Sequence, residues 1–164
     1  MNDSAFEPIS MSARASAAAQ RTRGGAARSA RITVVDDHQE FLDLLRDLFD
    51  ERFEVSTVTQ VTSVNHVADT APDVMIVDLH TNGTNGGLTG WQLVELARHH
   101  RSLTHVPIIV CTGDVTGLMR HGDELTAHDN VHLLAKPFEL DVIEGLVAQL
   151  LTIDEARDRT QTAS

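Results

Sequence analysis

Val74-Met75-Ile76-Val77-Asp78 is the stretch on which the fold turns. Four consecutive apolar residues closed by a carboxylate suit a central strand covered on both faces, since a half-exposed strand would alternate apolar with polar. Before it, Val61, Val64, Val67, Ala68 and Ala71 recur at helical spacing, and Phe53–Val58 alternates as a strand. Further back, the helical stripe Phe41, Leu42, Leu45, Leu48 and Phe49 follows the β-branched strand Ile32–Val35. After it comes a loop from Leu79 to about Thr89, then a helix carrying Trp91, Leu93, Val94, Leu96 and Ala97. Val106–Val110 reads as a strand, Val115–Leu125 as a weaker helix and Val131–Leu134 as a fifth strand. Pro137 suits the first turn of a last helix, whose buried face is Leu140, Ile143, Val147, Leu150 and Leu151. Five strands alternating with five helices predict an α/β fold, a doubly wound five-stranded parallel sheet with helices on both faces. Ligands in such sheets bind beyond the carboxyl ends of the strands.

The 164 residues suit one domain with some chain left over. Residues 1–29, rich in Ala, Ser and Arg, hold too few large apolar side chains to offset their ordering entropy, so a disordered tail is expected. Such a stretch also resembles a transit peptide, but a plain solvated extension is the stronger reading. The folded domain is expected at 30–153, and 154–164 as a frayed helix end and flexible tail. The net charge of −11 is uneven: the first 31 residues carry +3 and the remainder −14. So acidic a body repels nucleic acid and anionic lipid, and neither is expected as a partner. A single cysteine, Cys111, excludes an internal disulfide framework and points to a reducing compartment, the cytoplasm. No apolar run approaches the ~18 residues of a membrane span, and the opening MNDSAFEPIS is unlike a secretory signal.

The chemistry is expected at the strand ends. The first strand ends in Asp36-Asp37, the third in Asp78, the fourth in Cys111-Thr112-Gly113 and the fifth in Ala135-Lys136-Pro137. A carboxylate pair ~4 Å apart costs about 4 kcal/mol at an effective dielectric near 20, so three together require neutralisation. Oxygen donors without a Cys/His cluster suit a hard divalent cation, Mg²⁺ above all, which commonly bridges to a phosphate oxygen. Lys136 is the only lysine; the other 12 basic residues are Arg. A compact ammonium is a good point charge for a phosphoryl group, although on this motif alone it also reads as a surface lysine paired with a carboxylate. Thr112 offers a hydroxyl to a phosphate oxygen; taken singly it reads as a strand residue.

ITVVDD at 32–37, VMIVDL at 74–79, PIIVCTG at 107–113 and LLAKPF at 133–138 together resemble the receiver domain of two-component response regulators. Each motif is weak, but four in this order and spacing are specific, and the resemblance covers about residues 31–152. It implies a flavodoxin-like sheet of order 2-1-3-4-5. It also implies that Asp78 accepts a phosphoryl group from a histidine kinase or phosphotransfer protein. Asp36, Asp37, Asp78 and the backbone carbonyl of His80 would hold Mg²⁺, with Asp37 a direct ligand and Asp36 acting through water or by orienting the site. Lys136 would pair with the phosphoryl group, Thr112 would swing toward it, and the Lys136–Pro137 bond would be cis. A downstream protein target would read the face made by helix four, strand five and helix five.

Departures from the family pattern are local. The segment His80-Thr-Asn-Gly-Thr-Asn-Gly-Gly-Leu-Thr-Gly90 lacks the usual Met-Pro and Asp-Gly pairs and is longer than usual. Its four Gly and two Asn suggest mobility, and no Gly-Lys-Ser/Thr ending makes it a P-loop. His80 reads equally as an influence on the site and as a solvent-facing loop residue. Leu133 occupies the switch position where the family carries an aromatic, so any coupling there runs through packing volume. The other histidines show no zinc spacing, Cys111 reads as a buried small hydrophobe, and Trp91 as packing. No output domain finds room in these residues. The expectation is therefore a stand-alone receiver, a signalling switch rather than an enzyme, which catalyses at most its own phosphotransfer and dephosphorylation. The alternative is a phosphorylation-independent adaptor on the same fold. A Mg²⁺-dependent phosphohydrolase is weaker, because Asp78 lacks the Asp-x-Asp pattern.

Overall fold

The computed structural model describes residues 28–81, 83, 86–128 and 130–161. Five parallel strands are β1 (Arg31–Val35), β2 (Glu54–Val58), β3 (Val74–Asp78), β4 (Ile108–Thr112) and β5 (Val131–Ala135). They lie in the order β2-β1-β3-β4-β5. Between and after them run α1 (Gln39–Phe49), α2 (Val64–Ala68), α3 (Gly90–His99), α4 (Val115–Thr126) and α5 (Leu140–Gln161). This is the expected doubly wound sheet. Every residue of β3 and β4 is buried, as their apolar runs require, whereas the edge strands β2 and β5 are only partly so.

Successive strand residues face opposite sides, and the core divides accordingly. Ile32, Val34, Val74 and Ile76 pack with Leu42, Leu45 and Phe49 of α1 and Ile143, Val147 and Leu150 of α5. Val35, Met75, Val77, Ile108 and Val110 pack with Val67 of α2, Leu93, Val94 and Ala97 of α3 and Leu125 of α4. Trp91 packs at the margin of the second cluster, as read from the sequence, and Cys111 lies fully buried in the first.

Several boundaries differ from expectation. β4 begins at Ile108 rather than Val106. Pro107 has no N–H for the ladder, and the Arg98 guanidinium donates to the carbonyls of Thr104 and Val106, holding that segment as a turn. α2 is shorter than its apolar stripe: Val61 precedes it, its carbonyl taken by the Leu88 N–H, and the Thr70 hydroxyl closes on the Val67 carbonyl. α5 starts at Leu140, so Pro137 stands ahead of its first turn, and it runs on to Gln161. The expected tail 1–29 falls outside the described residues except at its end. There Arg28 clasps Asp73 through two hydrogen bonds of 3.0 and 2.5 Å, and the Ser29 hydroxyl faces the Arg52 carbonyl. Among the described residues, no helix is long and apolar enough to cross a membrane.

Candidate functional site

The strand register places the predicted groups together. Val35 lies beside Val77, Asp78 beside Cys111 and Thr112 beside Ala135, so the residues at or just beyond these points share one edge of the sheet. Asp36 is fully buried and Asp78 is 5% exposed. Ligand atoms from Asp36, Asp37, His38 and Asp78 all lie within 4.8 Å of one another. Asp36 and Asp37 immediately precede α1, where the positive end of the helix dipole favours carboxylates.

Lys136 enters this cluster from the end of β5. Its Nζ donates to Asp36 Oδ2 at 2.7 Å and to Asp78 Oδ2 at 3.1 Å. Burial alone would lower its pKa; the hydrogen bond and charge of Asp36, with those of Asp78, outweigh that and leave it raised. The ammonium also stands 4.0 Å from the centroid of the Phe41 ring, which meets Phe138 edge-on at 6.2 Å. Desolvation makes such a cation–π contact stronger than at an open surface. The Lys136–Pro137 bond is cis.

Around this centre the remaining predicted residues take distinct places. The His80 N–H donates to the other Asp78 oxygen, Oδ1, at 3.0 Å. The His80 ring turns outward, its Nε2 lying 3.4 Å from Asp114 Oδ2. Thr112 is fully buried, and its Oγ1 accepts the Asp114 N–H at 3.1 Å. Leu133 is half-buried against the second core cluster, where a Cβ at position 122 of α4 would meet its Cδ1 at 3.8 Å. Cys111, beside Asp78, has its thiol pushed up to about 12 by burial, which leaves it a hydrophobe and not a nucleophile.

Sequence reasoning missed four contributors. Phe41 was read only as part of a core stripe, yet it sits one turn beyond Asp37 and covers the ammonium. The His38 Nδ1 lies 3.0 Å from both Asp36 and Asp37, and these carboxylates raise its pKa, the hydrogen bond to Asp36 first. Asp114 caps α4. Gly90 lets α3 begin directly on the end of β3, because a Cβ there would stand 1.8 Å from the Asp78 carbonyl oxygen.

The sequence over residues 32–148 matches the family described as the response regulator receiver domain. The chain belongs to this family. Receivers are the signalling switches of two-component systems and work with histidine kinases or phosphotransfer partners. No curated protein matches the chain. Solved structures share its fold. The chemotaxis response regulator CheY4 of Vibrio cholerae superimposes with a TM-score of 0.62 at 22% identity, covering 75% of this chain and 99% of that one. NtrX from Brucella abortus gives 0.69 at 21% identity, covering 84% of this chain but 30% of that one. The receiver domain of a putative Luxo repressor from Vibrio parahaemolyticus gives 0.65 at 18%, covering 81% and 98%.

The donor set of this receiver fits the metal its family uses. Two carboxylates share one ammonium with a third clustered beside them, and gathered carboxylate oxygens are what a hard divalent cation selects. Asp36, Asp37 and Asp78 would hold Mg²⁺.

Proposed function

We propose that this chain works as a phosphorylation-dependent receiver in a reducing compartment, the cytoplasm. It accepts a phosphoryl group on Asp78 from the phosphohistidine of a histidine kinase or phosphotransfer protein, and passes the change to a protein partner at the α4–β5–α5 face or relays the phosphate. The observation that carries the reading is Lys136, whose ammonium stands 3.1 Å from Asp78 Oδ2 inside a cluster of carboxylates. A carboxylate there serves as nucleophile: an Asp78 oxygen attacks phosphorus in line, the P–N bond breaks with its electron pair left on the donor imidazole, which takes a proton, and a P–O bond forms. Bound Mg²⁺ supplies charge stabilisation to the transferring oxygens. Lys136 supplies a second positive charge from an already desolvated position, and the ring of Phe41 covers its ammonium. The His80 N–H holds Asp78 through Oδ1, leaving Oδ2 on the lysine side. Thr112, on the adjacent strand end, offers its hydroxyl to the new phosphoryl group. The chain turns over nothing but its own aspartyl phosphate.

The second reading is an adaptor that uses the fold without phosphorylation. Leu133 favours it, since an aliphatic side chain packed against the core offers no polar response to a new charge. One experiment separates the readings. Incubation with Mg²⁺ and acetyl phosphate, followed by intact mass measurement, is expected to add one phosphate to the wild type and none to Asp78→Asn. Beryllofluoride is expected to change Trp91 fluorescence in the same pattern. No mass gain, with partner binding unaffected by Mg²⁺, identifies the adaptor. Turnover of phosphomonoesters identifies a hydrolase.

A further inference from the structure

Asp114 stands outside the acidic cluster yet meets it twice. Its N–H donates to Thr112 Oγ1, and its Oδ2 faces His80 Nε2 at 3.4 Å. The same residue heads α4: its Oδ1 accepts the Gly117 N–H at 2.8 Å and its carbonyl accepts the Leu118 N–H at 3.0 Å. The fit is close. A Cβ at position 117 would stand 2.2 Å from Asp114 Oδ2, so only glycine leaves that oxygen turned toward His80. His80 is itself anchored to Asp78 through its N–H. His80, bonded to the proposed phosphoacceptor, and Thr112, at the end of the neighbouring strand, therefore meet on one residue at the start of α4.

We infer that Asp114 is the positioning residue through which phosphorylation of Asp78 loosens the first turn of α4; this rests on the phosphoacceptor reading. A phosphoryl group brings close to two negative charges and three strong acceptor oxygens. Those oxygens compete with Asp114 for both of its links. When the Thr112 hydroxyl turns to the phosphoryl group, the Asp114 N–H loses its acceptor. When the His80 ring turns the same way, Asp114 Oδ2 loses its neighbour and faces a new anion. Leu133 has no polar atom with which to take part, so the electrical signal enters α4 at its N-cap and not through β5. The His80 and Asp114 side chains are 60% and 33% exposed, which leaves the ring room to turn. Such a pair shifts an equilibrium by only about two- to fivefold, so an incoming dianion overcomes it.

Amide hydrogen exchange at residues 115–118, read beside intact mass, tests the inference. In the wild type, Mg²⁺ with beryllofluoride is expected to speed exchange at Gly117 and Leu118 about two- to fivefold. His80→Ala and Asp114→Asn, the latter keeping Oδ1 as the cap, are expected to show that faster exchange without loading and to respond little to it. The double variant is expected to exchange no faster than either single one, while Asp114→Asn still gains the mass of one phosphate from acetyl phosphate. Undiminished responses in the single variants, or additive effects in the double variant, overturn the inference and leave the phosphoacceptor reading standing. A wild type that gains no mass overturns both.

Discussion

The two ends of β3 each carry an aspartate, and they are built for opposite purposes. Asp73, just before the strand, is saturated: Arg28 donates to both its oxygens and the Arg31 N–H adds a third bond at 2.7 Å. Asp78, at the other end, shares one ammonium with buried Asp36 and has Asp37 close by. The first carboxylate is a clasp whose charge is met by its neighbours. The second is held in a crowd of carboxylates that share one lysine, which costs folding free energy. Satisfaction of partners, and not residue type or strand, separates the clasped aspartate from the one proposed as phosphoacceptor.

That contrast breaks most readily at Lys136. Lys136→Met leaves Asp36 and Asp78 buried without their counter-charge, and urea unfolding of the metal-free protein is expected to show a loss of about 3 kcal/mol. A loss near zero would mean that the ammonium offsets no repulsion. Next in size is Gly90→Ala. The added carbon collides with the Asp78 carbonyl, and about 2 kcal/mol of stability should disappear along with much of the phosphate uptake. Equal uptake by this variant and the wild type would show that the end of β3 tolerates displacement.

Smaller effects sharpen the comparison. Asp73→Asn is expected to cost about 1 kcal/mol and leave phosphate uptake unchanged, whereas Asp78→Asn should keep the fold at least as stable in metal-free buffer. Thermal melts of the pair decide it, and the reverse ranking would refute the assignment of roles. The smallest effect is in pH dependence. His38, raised by Asp36 and Asp37, favours folding below pH 6.5, and that contribution fades as pH climbs through its raised native pKa. His132 on β5 is lowered by burial, so its effect has the opposite sign: stability is lost as pH falls below 6.5 toward its depressed native pKa. NMR titration of the metal-free protein should place the His38 midpoint above 6.5 and the His132 midpoint below it.

Much of this was legible before any coordinates. The uninterrupted runs at 74–77 and 108–110 announce strands buried on both faces, and the stripes of α1 and α5 announce their covering helices, because periodicity records burial directly. Asp36, Asp37, Asp78 and Lys136 were legible for a related reason: each stands where an apolar strand stops, and parallel strands align those stops. Less legible were the limits of α2, where the apolar stripe runs beyond the five helical residues, and the start of β4, where the turn around Thr104 depends on a guanidinium arriving from α3. Arg28 read as part of a solvated tail because its partner lies 45 positions away.

Sequence alone therefore determined the layer architecture, the strand order through its family resemblance, and the identity of the charged groups at the sheet's edge, since burial pattern and strand termination are local properties of a chain. Tertiary structure alone decided which aspartate is quenched and which is left in excess, that Phe41 covers the ammonium, that Gly90 yields space to Asp78, and that Asp114 ties the head of α4 to His80 and Thr112. Those facts are distances between side chains remote in sequence, and such distances exist only once the chain has closed on itself.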